Sequence, residues 1–279
     1  MNRQGKIGLI AVDLDSTTLV PGQDAYSPRL VRDIQLCEKK GVHFMLNTGR
    51  HYTMIPPKVF AVLPDGPIGT INGACLVDHD GLVLNQHPMS KDDMDRLVHW
   101  SEVYGVGLGF KFVDAVVSYV NYEKFRDGYA HGDAFVAKSI IDCSSSRDHH
   151  LAAGLPLGTF IICDNETEEK LKPLLPQFTF AWSSWDGFDV FLKQINKSLT
   201  VEDALAYYGL GWENVLSFGD AENDTAFLTP AGYGYAMANA VPEVKAAAQY
   251  MCESCEDDGV ARTIERLVLK GEMDHDGNQ

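Results

Sequence analysis

Two aspartates, Asp13 and Asp15, close an apolar run that begins at Ile7, and the hydroxyl cluster Ser16-Thr17-Thr18 follows at once. In the alternating geometry of a strand both carboxylates project to one side of its carboxyl end. Like charges that close persist if one acid stays protonated or a cation lies between them. The carboxyl edge of a parallel sheet is also where open α/β folds bind ligands. The pair therefore asks for a metal, an anion or both, although Asp-x-Asp taken alone also suits a helix cap and a solvated turn.

Three further strand ends carry chemistry. Residues 42–46 read as a strand that stops at Asn47-Thr48-Gly49-Arg50, and residues 215–218 as one that stops at Gly219-Asp220-Ala221-Glu222-Asn223-Asp224. Gly219 there is expected to let the backbone turn tightly. Between them Asn196-Lys197 precedes a helix over 199–208, from which a lysine could reach the same crevice.

The elements that must position these groups follow from pattern. Ser27-Pro28 starts a helix that carries Leu30, Val31, Ile34 and Leu36 and stops at Gly41. It joins the first two strands in a βαβ unit, right-handed by default, which brings Thr48 close to Asp13. A short strand over 68–71 precedes a hairpin over 74–84 with Asp78-His79-Asp80-Gly81 as its turn. From about Pro88 the character changes: an amphipathic helix over 91–104, alternating strands over 106–120, and a polar irregular stretch over 131–150. A strand over 157–163, a charged helix over 166–175 and two strands around Asp186-Gly187 complete this α+β pattern. Strict alternation then resumes to the end of the chain, with helices over 199–208, 224–228, 241–248 and 259–269 and strands over 215–218 and 234–237. The fold class expected is α/β, a Rossmann-like three-layer core with a mainly parallel sheet over residues 1–87 and 191–279, interrupted by an α+β cap over 88–190.

The 279 residues suffice for a large core. At 45% apolar and 22% charged residues, the composition is that of a soluble globular protein, and apolar runs are strand-sized, too short to span a membrane. With no signal-peptide pattern ahead of Asp13, a cytoplasmic location is expected. A formal net charge of -16 argues against a nucleic-acid surface, which needs clustered Lys and Arg. The six cysteines sit mostly in apolar segments as reduced core thiols, and Cys252-x-x-Cys255 lacks a second pair or a redox context. Asp148-His149-His150 reads as a solvated turn, Trp182 and Trp185 as parts of a half-buried strand, and Arg50 as a structural or rim cation. Oligomeric state is not legible.

The ordered set Asp-x-Asp, Thr-Gly-Arg, Lys and Gly-Asp-x-x-Asn-Asp resembles the haloacid dehalogenase superfamily, most closely its Cof-type phosphatases, whose large cap is inserted between the second and third motifs. The resemblance covers nearly the whole chain and extends to Ala236-Met237-Ala238-Asn239-Ala240, Val244-Lys245 and Asp258-Gly259-Val260-Ala261. It implies a Mg²⁺-dependent phosphatase acting on a small phosphorylated metabolite, a sugar phosphate or similar compound. On this resemblance Asp13 attacks phosphorus, and Asp15 protonates the departing oxygen and then activates water. The carboxylates of Asp13 and Asp220 with the backbone carbonyl of Asp15 suit Mg²⁺. Thr48 and the amides after Asp13 and Thr48, Gly49 included, would donate to the phosphate; Lys197 would supply positive charge. Asn223 carries over as a phosphate-side or metal-water contact and Asp224 as a partner that fixes Lys197 or the metal. A shielded Asp15 is expected.

A phosphomutase uses the same groups, and a phospho-ligand sensor is the rival from another class. The acid at Asp15 argues against a sensor, and against a dehalogenase, whose halide leaving group needs no proton. The chain departs from the family pattern at Ser16, where Gly is usual, and at Thr18, where Leu is usual. If the turn after Asp15 requires positive φ, Ser16 costs about 1 kcal/mol. Asn47 replaces a small residue and is expected to add a polar contact at the rim.

Overall fold

The computed structural model of the chain describes residues 5–184 and 187–272. In chain order the strands are Leu9–Val12 (β1), His43–Leu46 (β2), Ile68–Thr70 (β3), Cys75–Val77 (β4), Val83–Gln86 (β5), Gly107–Lys111 (β6) and Val116–Val120 (β7). Then come Ile140–Asp142 (β8), Gly158–Ile162 (β9), Phe178–Ser184 (β10), Gly187–Leu192 (β11), Val215–Gly219 (β12), Tyr233–Met237 (β13) and Tyr250–Cys252 (β14).

β1 lies inside a parallel sheet of order β14-β13-β12-β1-β2. Leu9 pairs with His43 on one side and with Val215 on the other, and Val12 pairs with Leu46 and Phe218. All four residues of β1 and all five of β12 and β13 are buried, as expected of parallel strands covered on both faces. The sheet is prolonged beyond β2, where the Thr48 amide donates to Gly69 O at 2.9 Å and leads into the antiparallel set β3-β4-β5. The helix Pro28–Lys39 starts as the sequence suggests: Ser27 Oγ accepts from the Leu30 amide, Pro28 occupies the first turn, and Leu30, Ile34 and Cys37 form its buried face.

A second sheet, of order β10-β11-β9-β6-β7-β8, is antiparallel except for the β7–β8 pair. The helix Lys91–Tyr104 leads into it, capped by Ser90 and ended by Gly105 in left-handed conformation. Two differences from the sequence expectation lie here. The stretch expected to be irregular holds the helix Ala134–Ser139, with Asp133 accepting from the Phe135 and Val136 amides, and then β8. A helix at Tyr122–Ala130 was not expected; it buries only Phe125 and Ala130, too few positions to give a periodic signal. Trp185 and Asp186, at the expected turn between β10 and β11, lie outside the described residues. Among the described residues no helix is long and apolar enough to cross a membrane.

Candidate active site

The carboxyl ends of β1, β2 and β12 meet. The Asp13 amide donates to Phe218 O at 3.1 Å, so the first residue beyond β1 stands beside the carboxyl end of β12. Lys197 arrives from the turn ahead of the helix Ser198–Tyr208 and its Nζ lies 2.5 Å from Asp13 Oδ1 and 2.6 Å from Asp224 Oδ1. The lysine side chain is 1% exposed. Burial opposes its charge, but the two carboxylates more than offset that and push its pKa up.

The acids are arranged around this ammonium. One oxygen each of Asp13, Asp220 and Asp224 lie within 4.8 Å of one another. Asp224 is fully buried and both its oxygens are engaged: Oδ1 by Lys197, Oδ2 by the amides of Asp220 at 2.9 Å and Ala221 at 3.0 Å. Gly219 makes this possible through space and not through its backbone angle. Its φ is not positive, and a Cβ there would lie 2.4 Å from Asp224 Cβ. Burial pushes the Asp13 carboxyl well up; Lys197 pulls it down, while Asp224, Asp220 and Asp15 add to the rise. Burial and then Asp224 push Asp220 up to about 6, against a 2.7 Å hydrogen bond donated by Thr17 Oγ1.

Three acids facing one ammonium leave an excess of negative charge. The second oxygens of Asp13 and Asp220 have no protein partner among the described residues. Those two oxygens, hard donors with raised proton affinity, fit a divalent cation such as Mg²⁺.

Asp15 departs from expectation. Its carboxylate does not crowd against Asp13 and is outside the acid cluster; the side chain is 54% exposed rather than shielded. Arg50 holds it with a forked pair, Nε to Oδ2 at 2.9 Å and Nη2 to Oδ1 at 2.7 Å. The turn that carries it has Ser16 at φ 60°, the left-handed geometry in which a non-glycine residue is strained. Asn239 Nδ2 donates to Ser16 O at 2.8 Å, and Thr18 Oγ1 donates to Asp13 O at 2.6 Å, so the polar residues of this loop secure it.

Thr48 is buried at the end of β2, and its Oγ1 accepts from the Arg50 amide at 3.1 Å, which leaves the hydroxyl proton free of protein partners among the described residues. That amide therefore folds back on Thr48 and does not face a ligand. Gly49 touches Asn72: a Cβ at Gly49 would stand 2.9 Å from Asn72 Oδ1. Asn72, at φ 53°, accepts in turn from Asn223 Nδ2 at 2.9 Å. Asn47 is not at the rim. It is fully buried, donates to Lys197 O at 2.9 Å and accepts from Thr200 Oγ1 at 3.0 Å, which fixes the backbone that carries the ammonium.

Residues 88–190 reach this site through the tripeptide after Thr48. Lys111 Nζ donates to Gly49 O at 2.9 Å and pairs with Asp189. His51 Nε2 donates to Phe112 O at 2.8 Å, and burial lowers its pKa to about 4. Sequence reasoning did not single out Thr17, Asn72, His51 or Lys111; only the run Ser16-Thr17-Thr18 hinted at one of them. The remaining motifs keep simple roles: His149 pairs with Asp114, His150 with Tyr119, and Cys252 and Cys255 are free thiols.

A family model described as haloacid dehalogenase-like hydrolase matches residues 10–264. Among curated proteins, the chain is 27% identical to the 5-amino-6-(5-phospho-D-ribitylamino)uracil phosphatase YitU of Bacillus subtilis over 92% of this chain and 96% of that one. It is 26% identical to the pyridoxal phosphate phosphatase YbhA of Escherichia coli over 92% and 97%. Among solved structures, the subclass IIB sugar phosphatase BT4131 superposes with a TM-score of 0.78 over 92% of this chain and 97% of that one at 20% identity, a likeness of fold.

Proposed function

This chain belongs to the haloacid dehalogenase-like hydrolases, and on that premise we propose that it is a Mg²⁺-dependent phosphatase of small phosphorylated metabolites working through an aspartyl phosphate. The observation that carries the reading is the buried Lys197 ammonium, bonded to Asp13 and Asp224 with Asp220 beside them. An oxygen of the Asp13 carboxylate is the nucleophile, the other being left to the cation. Lys197 orients that carboxylate and offsets its charge as the phosphoryl group approaches. Thr48 donates its hydroxyl to a phosphate oxygen, with Asn223 on the same side, and Gly49 allows close approach of the backbone. Asp15 protonates the departing oxygen and then takes the proton of the water that cleaves the intermediate.

Asp13 and Asp220, with the Asp15 carbonyl, would hold the cation, and Asp224 would keep Asp220 and Lys197 in place. When bound, Mg²⁺ stabilises the charge that shifts onto the phosphoryl oxygens. Residues 88–190 would form the cap over a core of 1–87 and 191–279, and its closing over the core would exclude bulk water. The names of the similar proteins make sugar phosphates, pyridoxal phosphate and the phosphorylated ribitylaminouracil the first substrates to try.

The test is phosphate release from p-nitrophenyl phosphate with Mg²⁺ or EDTA, followed by a panel of those esters. Release that needs Mg²⁺ and is abolished in Asp13→Asn supports the reading; near wild-type release in Asp13→Asn rejects it. Transfer of the phosphoryl group to a second hydroxyl of the substrate, with no free phosphate, would mark a mutase.

A further inference from the structure

We propose that Arg50 is the positioning residue for Asp15, fixing the plane in which that carboxyl group exchanges protons with the leaving-group oxygen and with the attacking water. The inference rests on the phosphatase reading above.

Asp15 sits in a strained turn with half its side chain exposed, and no other side chain among the described residues bonds its carboxylate. Left alone, such a group would rotate among several orientations, and misplacement by about 1 Å costs roughly 100-fold in a proton-transfer step. The Arg50 fork removes that freedom. It engages one lone pair on each oxygen and leaves the outward ones for protons, which a single-point ammonium could not do.

Arg50 is itself immobilised. Nη1 donates to Met54 O at 3.1 Å, its amide donates to Thr48 Oγ1, and its carbonyl accepts from the Ile71 amide at 3.0 Å. Its neighbours Gly49 and His51 both bond the cap, through Lys111 and the Phe112 carbonyl. The residue that orients Asp15 is thus flanked on both sides by the contacts that dock the cap.

An Asp13 oxygen bonds to phosphorus and the phosphorus–ester oxygen bond breaks; its electron pair stays on that oxygen, which takes the proton from Asp15. Water oxygen then bonds to phosphorus, its proton passes to Asp15, and the Asp13–phosphorus bond breaks. A leaving group that is stable as an anion has no need of the Asp15 proton in the first half.

The experiment compares kcat/KM, which reports steps up to leaving-group release, for 2,4-dinitrophenyl phosphate and for the best alkyl phosphate of the panel, at saturating Mg²⁺. Arg50→Ala is expected to lower the alkyl value about 100-fold and the dinitrophenyl value less than about fivefold, in keeping with the size of general acid catalysis. Arg50→Lys, which keeps charge and stem but not the fork, should fall between, and a thermal melt shows whether each variant is folded. In the background of Asp15→Asn, which should show the same selectivity, Arg50→Ala should add no further loss.

Equal losses on both esters would overturn the proposal in favour of a direct phosphate contact. A further loss in the double variant, or no loss on the alkyl ester, would also overturn it. If wild type releases phosphate from neither ester, the phosphatase reading itself falls.

Discussion

Replacing Lys197 by Met leaves side-chain length nearly unchanged and removes the cation between two buried acids. Asp13 and Asp224 are 6% and 0% exposed and both bond the ammonium at 2.6 Å or less. Removing one partner of a buried ionic cluster costs about 3–5 kcal/mol because the charge left behind is uncompensated. That is a large part of the roughly 5–15 kcal/mol that holds a domain of ordinary stability together. The loss has a pH signature. With the cation gone, Asp13 takes a proton at higher pH in the folded variant than in the folded wild type, while the unfolded chains titrate alike. The folded variant therefore binds up to one proton more than wild type, and the stability gap narrows as pH falls, by at most about 1.4 kcal/mol per unit. Urea unfolding of both proteins in EDTA at pH 8, 7 and 6 measures the gap directly. A gap below about 1 kcal/mol at pH 8, or one that does not shrink on acidification, would refute the account of Lys197 as the compensating charge.

Because Asp220 is held at about 6 and Asp13 is also raised, a Mg²⁺ ion that binds there would displace protons; calorimetry should show affinity falling with pH below 6 by about tenfold per unit for each proton displaced. Ser16→Gly relieves the left-handed geometry, and after the extra chain entropy of glycine it should raise the urea midpoint by an amount equivalent to about 0.5–1 kcal/mol; a lower midpoint would show that the turn is not strained. His51, with a folded pKa of about 4 against 6.5 when unfolded, contributes stability that is present above pH 6.5 and lost as pH falls toward 4, about 3 kcal/mol in all. Gln at position 51 keeps a donor for Phe112 O and cannot titrate, so His51→Gln should flatten this part of the pH profile, and an unchanged slope would count against the assignment.

The places of Asp13, Asp220 and Thr48 were legible because they follow from one-dimensional pattern: an apolar run stops, and its last residues lie on the ligand-binding edge. What stayed hidden depends on where side chains meet across elements. Asn47 looks like a rim residue from its place after β2, yet it lies under Lys197 because the helix Ser198–Tyr208 starts there. Arg50 and Asp15 are 35 residues apart, and only the pairing of β1 with β2 brings their side chains together. Gly219 invited a backbone explanation, whereas the constraint comes from Asp224 packed against its α-carbon. The strand β14 escaped notice because three residues at a sheet edge, one of them buried, leave no alternation to read.

The placement of β1 has a bearing on how the polypeptide matures. Asp13 and Lys197 are separated by 184 residues, and β1 receives its second neighbour only when β12 has been made. During synthesis the first strand therefore waits with one hydrogen-bonding flank open while the intervening sheet is completed, a state prone to mispairing. The acid cluster around Lys197 is complete only after β12, so termination between Asp13 and β12 yields a chain that has Asp13 but neither Asp220 nor Asp224 beside it.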